Sequence, residues 1–446
     1  MDSIFITPHD PDWSSLYLSA EEEIRAACAP TPLLLFHIGS TAIPALAAKP
    51  IIDILGEVED LDDIDRRTDA LAALGFKPLG EFGMVQRRYF KRPATASFPC
   101  PINFHVFAAG DPQIERHRRF RDYLRAHPFE AEKYDELKQS LAVIHTRDLD
   151  AYTEGKNRLI HELDRKALLW PDAPAYRHFN AKPRPQTWTE SAILSALEAN
   201  LSFHMTHLIR YVPEAEYSGR RTVSWVSAPV KDDTFNNALH AHLQREETEK
   251  WIDRTIAHYQ SKNHPFSWWI KPSDEPKDLP ARLTARGFRL AETHQGMFAK
   301  ISPPLPPSTP LKIERILDPD RLSDFCAIAE QLGLSKELYP KIWKRIPPLL
   351  YQKGTPIEIY VGIINGKPAV SGLLVFYGKI AGIYWIATIP SERKKGYAGA
   401  MMTHLLQRAH EENYQIAGLL ASPMGQSLYQ KFGFSLLADF YEFAYG

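Results

Sequence analysis

The chain has 446 residues, with 53 Lys and Arg against 54 Asp and Glu and a formal net charge of −1. That length exceeds what one hydrophobic core organises and implies roughly two to four domains, while the even charge balance excludes bulk nucleic-acid binding carried by charge. Three widely spaced cysteines argue for a reducing compartment and against a disulfide framework or a zinc site. With no signal-like start and no apolar run of membrane-spanning length, a cytoplasmic protein with no membrane partner is expected.

The first block covers residues 1–170. Near its start, FHIGSTAIPALAAKPIIDILGEV places a Gly39-Ser40 turn before an apolar strand that reaches Asp53. An RRYF run follows at Arg87, then an NFHV strand with His105, and a helical pattern from Glu115 to Trp170 in which apolar residues recur three or four apart. These motifs resemble the GrpB-like branch of the nucleotidyltransferase fold over about residues 6–167. The resemblance implies a site at Gly39, Ser40, Lys49, Asp53, Arg87 and His105. Two-metal chemistry in that superfamily needs two carboxylates at period-two spacing on one strand face, but the partner position of Asp53 is Leu55. Asp53 therefore reads either as a ligand for a single Mg2+, with His105 beside it, or as a strand-end carboxylate capping the Gly39-Ser40 loop. Lys49, Arg87, Arg88 and the arginines within residues 116–121 either line an anion pocket or form a solvated face.

A Pro-rich polar stretch at residues 170–185 reads as a linker. In the middle block, residues 186–301, Thr189 is a candidate N-cap, and TVSWVSAPV alternates as a strand does. Its ending, PFSWWIKPS followed by DLPARLTARGFRLAETHQGMFAKI, runs parallel to IAGLLASPMGQSLYQKFGFSLLADFYEFAY at the C-terminus, with Phe288 and Phe434 in register. This is an internal structural repeat. The Pro-rich segment 302–310 reads as a stiff spacer between the copies.

The last block, residues 311–446, holds a hairpin pattern with an Asn365-Gly366 turn suited to primed geometry. It continues through Ile386, Ala387 and Thr388 into Pro390 and a basic turn, then an amphipathic helix with Met402, Leu405, Leu406 and Ala409 on one stripe. A helix start of this kind offers unpaired N–H groups and partial positive charge to an anion. Gly396 and Gly399 let a ligand approach the backbone, and Arg393, Lys394 and Lys395 attract a polyanion. Arg393-x-x-Gly396-x-Ala398 resembles the acyl-CoA pyrophosphate loop of the GNAT acetyltransferases, and LYQKFGF resembles the end of that fold. The likeness implies that Ile386, Ala387 and Thr388 present main-chain groups to the pantetheine arm. It implies that residues 394–399, including Tyr397, hold the pyrophosphate, and that Ser422 stands where the family often has Asn. Tyr429 would protonate the departing thiolate. In the middle copy REETEKW, with Glu246, Glu247 and Glu249, replaces the basic turn, and Leu283 replaces the tyrosine, so that copy reads as degenerate. No general base is legible. The strand 380–388 has no carboxylate, Glu358, Asp439 and Glu442 are open choices, and no histidine sits where the motif would demand one.

The expected architecture is α/β (α+β): a nucleotidyltransferase-like domain at 1–170, a degenerate GNAT copy at 186–301 and a catalytic GNAT domain at 311–446, with mixed, largely antiparallel sheets. The expected activity is acetyl-CoA-dependent N-acetylation of an amine, of a small molecule or alternatively of a protein. The rival is a nucleotidyltransferase or nucleotide-binding enzyme whose GNAT part only binds CoA.

Overall fold

The computed structural model describes residues 4–175, 183–219, 222–302 and 311–446. Residues 176–182 of the first linker and 303–310 of the spacer lie outside them. The chain divides into two compact units, Met1–Ala181 and Lys182–Gly446.

The first unit holds strands β1 (Leu34–Ile38), β2 (Ile52–Val58), β3 (Lys77–Pro78), β4 (Arg87–Arg92) and β5 (Ile102–Ala108), in the order β1-β2-β5-β4-β3. Only β2 and β5 run parallel. β2 is central and buried along nearly its whole length, as a strand covered on both faces must be. Around the sheet lie helices α1 (Asp12–Cys28), α2 (Leu61–Asp65), α3 (Thr68–Ala73), α4 (Pro112–Ala126), α5 (Pro128–Ile144) and α6 (Leu149–Leu168). Ile24, Ile52, Ile54, Phe76, Phe90 and Phe104 fill its main core.

The second unit is built from two halves of like element order. The first comprises α7 (Glu190–Thr206), β6 (Glu216–Ser218), β7 (Ser224–Ser227), β8 (Asn236–Leu239), α8 (Thr248–Gln260), β9 (Phe266–Ile270), α9 (Leu279–Ala285) and β10 (Arg289–Lys300). The second opens with β11 (Lys312–Arg315), α10 (Leu322–Glu330), α11 (Leu338–Lys341), β12 (Ile357–Ile364), β13 (Lys367–Tyr377) and β14 (Ile380–Thr388). It closes with α12 (Tyr397–Glu411), β15 (Ile416–Ala421), α13 (Gln426–Lys431) and β16 (Ser435–Tyr445). The repeat read from the sequence is visible in the backbone. The amide of Phe288 donates to the carbonyl of Leu283 at 3.1 Å, and that of Phe434 to Tyr429 at 3.2 Å, closing the same helix-to-strand turn twice. Asn365 and Gly366 both have positive φ, 50° and 76°, as a primed two-residue turn requires. The α12 stripe is buried: Met401, Met402, Leu405 and Ala409 pack with Leu374, Ile383, Leu419 and Phe434.

All eleven strands of this unit form one sheet, ordered β11-β12-β13-β14-β15-β10-β16-β9-β8-β7-β6. The two halves have exchanged their last strands. β10 of the first half pairs with β15 of the second, β16 of the second pairs with β9 of the first, and β10 and β16 pair antiparallel at the centre. Each half thus supplies the strand that completes the other.

Candidate active site

In the second half, β14 and β15 run parallel and are paired only at Ala381 with Ala417 and Gly382 with Gly418. Beyond that point the ladder stops, so the ends of β14 and β15 are not paired with each other, and this interruption is the cleft between the two strands. At the same level β14 carries a bulge, because Trp385 and Ile386 both stand opposite Gly372 in the register with β13. Trp385 has φ of 55° and its carbonyl accepts from Ser371 Oγ at 2.8 Å. The bulge turns the indole into an aromatic cluster: its centroid lies 5.7 Å from Phe325, 5.8 Å from Trp343 and 6.4 Å from Phe235 of the first half. Ile386 packs instead on the α12 side. Thr388 ends β14 with a buried hydroxyl that meets no partner among the described residues.

The basic turn follows directly. Residues Pro390–Glu392 make one 3-10 turn, Arg393 Nε donates to the Thr388 carbonyl at 3.2 Å, and Lys395 pairs with Glu392 at 3.0 Å. Lys394 and Gly396 are left-handed, with φ of 63° and 84°, and Gly396 is the N-cap of α12. The first amide of this region to find a helical acceptor is that of Ala400, bonded to the Gly396 carbonyl at 3.0 Å. Among the described residues, the amides of Lys394, Lys395, Gly396, Tyr397, Ala398 and Gly399 have no backbone acceptor outside the regular ladders. No side chain caps α12 and its first turn holds no acid. Main-chain amides arranged in this way form a nest of the kind that can receive an anion.

Tyr429 sits on α13 in the same core as Tyr397, Leu419 and Ala421, with its ring 6.1 Å from Phe434. It is buried, which pushes its phenol up to about 12, and among the described residues its hydroxyl has no hydrogen-bond partner. Ser422 follows the last residue of β15. The three carboxylates left open as bases are now separable. Glu358 is buried and clamped by Arg315 at 2.5 Å, Arg408 at 3.0 Å and the Tyr360 hydroxyl at 2.5 Å, so it has no capacity left for a substrate proton. Asp439 is exposed on β16. Glu442 is engaged in a polar chain: Ser267 Oγ donates to its Oε1 at 2.8 Å, and His294 Nε2 lies 3.3 Å from its Oε2.

The first half shows what the cleft becomes when it is closed. β8 and β9 also pair in parallel at two positions, Asn237 with Ser267 and Ala238 with Trp268. Beyond them, however, the Glu275 amide donates to the Ala241 carbonyl at 2.8 Å, the Leu243 amide donates to Glu275 at 3.0 Å, and Asp274 accepts from the Ala241 amide at 3.2 Å. The gap is stapled by main chain, and the acidic start of α8 replaces the nest.

In the first unit, Asp53 lies on β2 against the Gly39 turn. A Cβ at Gly39 would meet Asp53 Oδ2 at 2.5 Å, and Gly39 has φ of 73°. Asn103 donates to Asp53 Oδ1 at 2.8 Å, and His105 Nε2 lies 3.8 Å from the same oxygen. Lys49 and Lys156 both stand over the Tyr152 ring, at 4.4 and 4.3 Å. Among the described residues no group of three or more His, Cys, Asp or Glu could hold a metal ion. The Mg2+ expected at Asp53 therefore finds no ligand set: Leu55 is packed with Ile38, Phe107 and Ile114, and the carboxylate is turned to Asn103 and the glycine turn. The basic residues read as an anion pocket or a solvated face are drawn into contacts within the fold, and Arg87 lies 3.2 Å from His105 Nδ1. Arg87 donates to the carbonyls of Glu81 and Phe82, Arg88 pairs with Asp65, Arg116 with Asp164 and Arg121 with Asp122, so these guanidinium groups are committed within the fold. Ser40 opens a short 3-10 turn beside Gly39.

Comparison with known proteins agrees with both ends of the chain. The GrpB protein family matches residues 3–166, and an acetyltransferase (GNAT) domain matches residues 377–437. UPF0157 protein YqkA of Bacillus subtilis is 36% identical over 162 residues, of which the chain spans 46% of the relative's length. UPF0157 protein BH1888 of Halalkalibacterium halodurans is 35% identical over 166 residues and 83% of its length is covered. Among solved structures, GrpB from Enterococcus faecalis is 32% identical, covering 37% of this chain and 97% of that one, with a TM-score of 0.34. A GCN5-related N-acetyltransferase from Kribbella flavida aligns with 50% of this chain and 86% of that one at 12% identity, TM-score 0.41. No helix among the described residues is long and apolar enough to cross a membrane. Through its first unit the chain belongs to the GrpB family, and it carries a GNAT acyltransferase domain at its C-terminus.

Proposed function

We propose that the second unit transfers the acetyl group of acetyl-CoA to the primary amine of a small molecule in the cytoplasm. The observation that carries this reading is the pairing of an open cleft between β14 and β15 with a main-chain nest at the start of α12, where the other half has a stapled gap and acids. A diphosphate fits the nest because six consecutive amides, from Lys394 to Gly399, are not spent on backbone acceptors outside the regular ladders. Half-buried Ile386 and Ala387 would offer main-chain groups along the cleft, and the unsatisfied Thr388 hydroxyl one side-chain group more. Acetyl-CoA supplies the activated acyl carbon. The chain supplies orientation and a proton donor: a buried phenol at Tyr429 stays protonated at neutral pH until a thiolate is formed beside it. That the three cysteines are free and buried suits a reducing compartment.

Calorimetric titration of acetyl-CoA into the full chain and its Gly396→Trp variant tests the reading. Saturable binding by the natural chain and loss of at least about tenfold in affinity in the variant are expected, since an indole in the nest displaces a diphosphate. Equal binding by both would refute it.

A further inference from the structure

The exchanged strands bring a second polar group to the mouth of the cleft. β10 comes from the degenerate half, yet it lies beside β15, and its Gln295 pairs with Ala421, the last residue of that strand. His294 is one residue further along, level with Ser422. Its imidazole stacks on Trp269 of β9 with centroids 4.8 Å apart, and its Nε2 is 3.3 Å from Glu442 of β16 and 3.9 Å from Glu292 of its own strand. Glu442 is fixed from its other oxygen by Ser267. Next in line is Asp233, beside Ser267, whose carboxyl is pushed up by burial and by the neighbouring Glu442. Two residues on, Phe235 lies nearly parallel to Trp385 at the bulge of β14. An unbroken run of contacts thus joins His294 to the level at which β14 and β15 part.

The charges in this run do not balance. Asp233, Glu292 and Glu442 have no Lys or Arg ion-pair partner among the described residues, and His294 is the single basic group facing them. With its proton on Nε2 donated to Glu442, the imidazole keeps a lone pair on Nδ1, which bonds to nothing among the described residues. A carboxylate that orients a histidine in this way makes it a proton acceptor. Partly shielded carboxylates beside indole faces attract a cation.

Resting on the acetyltransferase reading, we infer that the acceptor is a small aliphatic amine carrying a further positive charge. It is held at the seam between the halves by Asp233 and Glu442 beside Trp269 and Trp385, and its reacting ammonium gives a proton to His294 Nδ1. The freed nitrogen lone pair forms the C–N bond at the thioester carbonyl carbon. Collapse breaks the C–S bond and sulfur leaves with the Tyr429 proton. The second nitrogen proton returns through solvent to the phenolate, and His294 releases the first to water. The degenerate half is in this account a part of the active site, supplying His294, Ser267, Trp269 and Asp233.

The test uses the full chain, with acetyl transfer from acetyl-CoA to 1,4-diaminobutane, butylamine and 4-aminobutanoate, together with calorimetric acetyl-CoA titration of every variant as a check on fold and cofactor site. The diamine should be the best acceptor. His294→Gln should lower kcat by about 10²-fold or more while acetyl-CoA affinity is kept. Asp233→Asn should raise KM for the diamine by about tenfold with a smaller change in kcat. An unchanged rate in His294→Gln, a preference for 4-aminobutanoate, or a chain that binds acetyl-CoA but leaves the diamine unacetylated would overturn the inference alone. Absence of acetyl-CoA binding by the natural chain would overturn the acetyltransferase reading and the inference with it, and the titration tells the two failures apart.

Discussion

A glutamate at position 398 separates the nest from every other explanation of this turn. Ala398 is the second residue of α12, half-exposed, in a first turn that contains no acid. A negative side chain there complements the helix dipole and should stabilise the helix by about 0.3–1 kcal/mol, raising the melting temperature of the second unit by roughly 1–3 °C. The same carboxylate would lie about 5 Å from a diphosphate bound on the first-turn amides. At an effective dielectric of about 20, one such charge pair costs about 3 kcal/mol, or about 150-fold in the dissociation constant. Ala398→Glu should therefore bind acetyl-CoA about a hundredfold more weakly while melting no lower, and the loss should shrink as added salt shortens the Debye length. Ala398→Gln, of equal size and no charge, should bind within about threefold of the natural chain. Calorimetry at low and high ionic strength, with thermal melts, reads all three. If Ala398→Glu binds as the natural chain does, the anion does not sit on these amides.

Two further outcomes follow from buried groups elsewhere. Burial pushes Asp274, in the staple that closes the first half, up to about 7, with the ammonium of Lys271 pulling the other way. An acid whose folded value is raised contributes most stability below its unfolded value and loses it as pH rises through the folded one. The stability advantage of the natural chain over Asp274→Asn should thus decline between about pH 4 and 7, as thermal melts across that range would show; an advantage that grows with pH would contradict it. In the first unit, Gly39→Ala places a Cβ 2.5 Å from Asp53 Oδ2 in a backbone conformation with φ of 73° and ψ of −173°. A cost of about 2–4 kcal/mol is expected by calorimetric unfolding, and Asp53→Ala in the same chain should recover only part of it, because the dihedral strain stays.

What the sequence disclosed, it disclosed through local rules. The Asn365-Gly366 turn, the apolar stripe of α12 and the Thr189 cap of α7, whose side chain accepts from the Ala192 amide, are each decided by residues a few positions apart. The repeat was legible because Leu283–Phe288 and Tyr429–Phe434 close the same turn. The Trp385 bulge was not, since neither Gly nor Asn marks it and it exists only as two residues of β14 opposing one of β13. Nor was the staple, because Lys271, Pro272 and Asp274 look like an ordinary polar loop until the Ala241 segment is laid beside them. The strand exchange was hidden for a similar reason. β10 and β16 read as strands, but a strand pattern names no neighbour.

That exchange explains how a half without a nest stays coupled to the half that has one. Were each copy to keep its own last strand, the first would be a separate domain, and its loss of the basic turn would leave it without consequence for the cleft. With β10 placed between β15 and β16, the first half instead sets the position of β15, whose separation from β14 is the cleft itself. The halves are joined by main-chain pairing along β10 and β16, nine register partners long with two irregularities, and by α7, whose Asn200 donates to the Val375 and Tyr377 carbonyls and whose Phe203 stacks on Tyr377. Because antiparallel pairing is set by backbone, the side chains of β10 can change on the face away from α12 without losing the sheet. The first half, which has no nest, thus keeps His294 of β10 stacked on Trp269 of β9 at the seam between the halves.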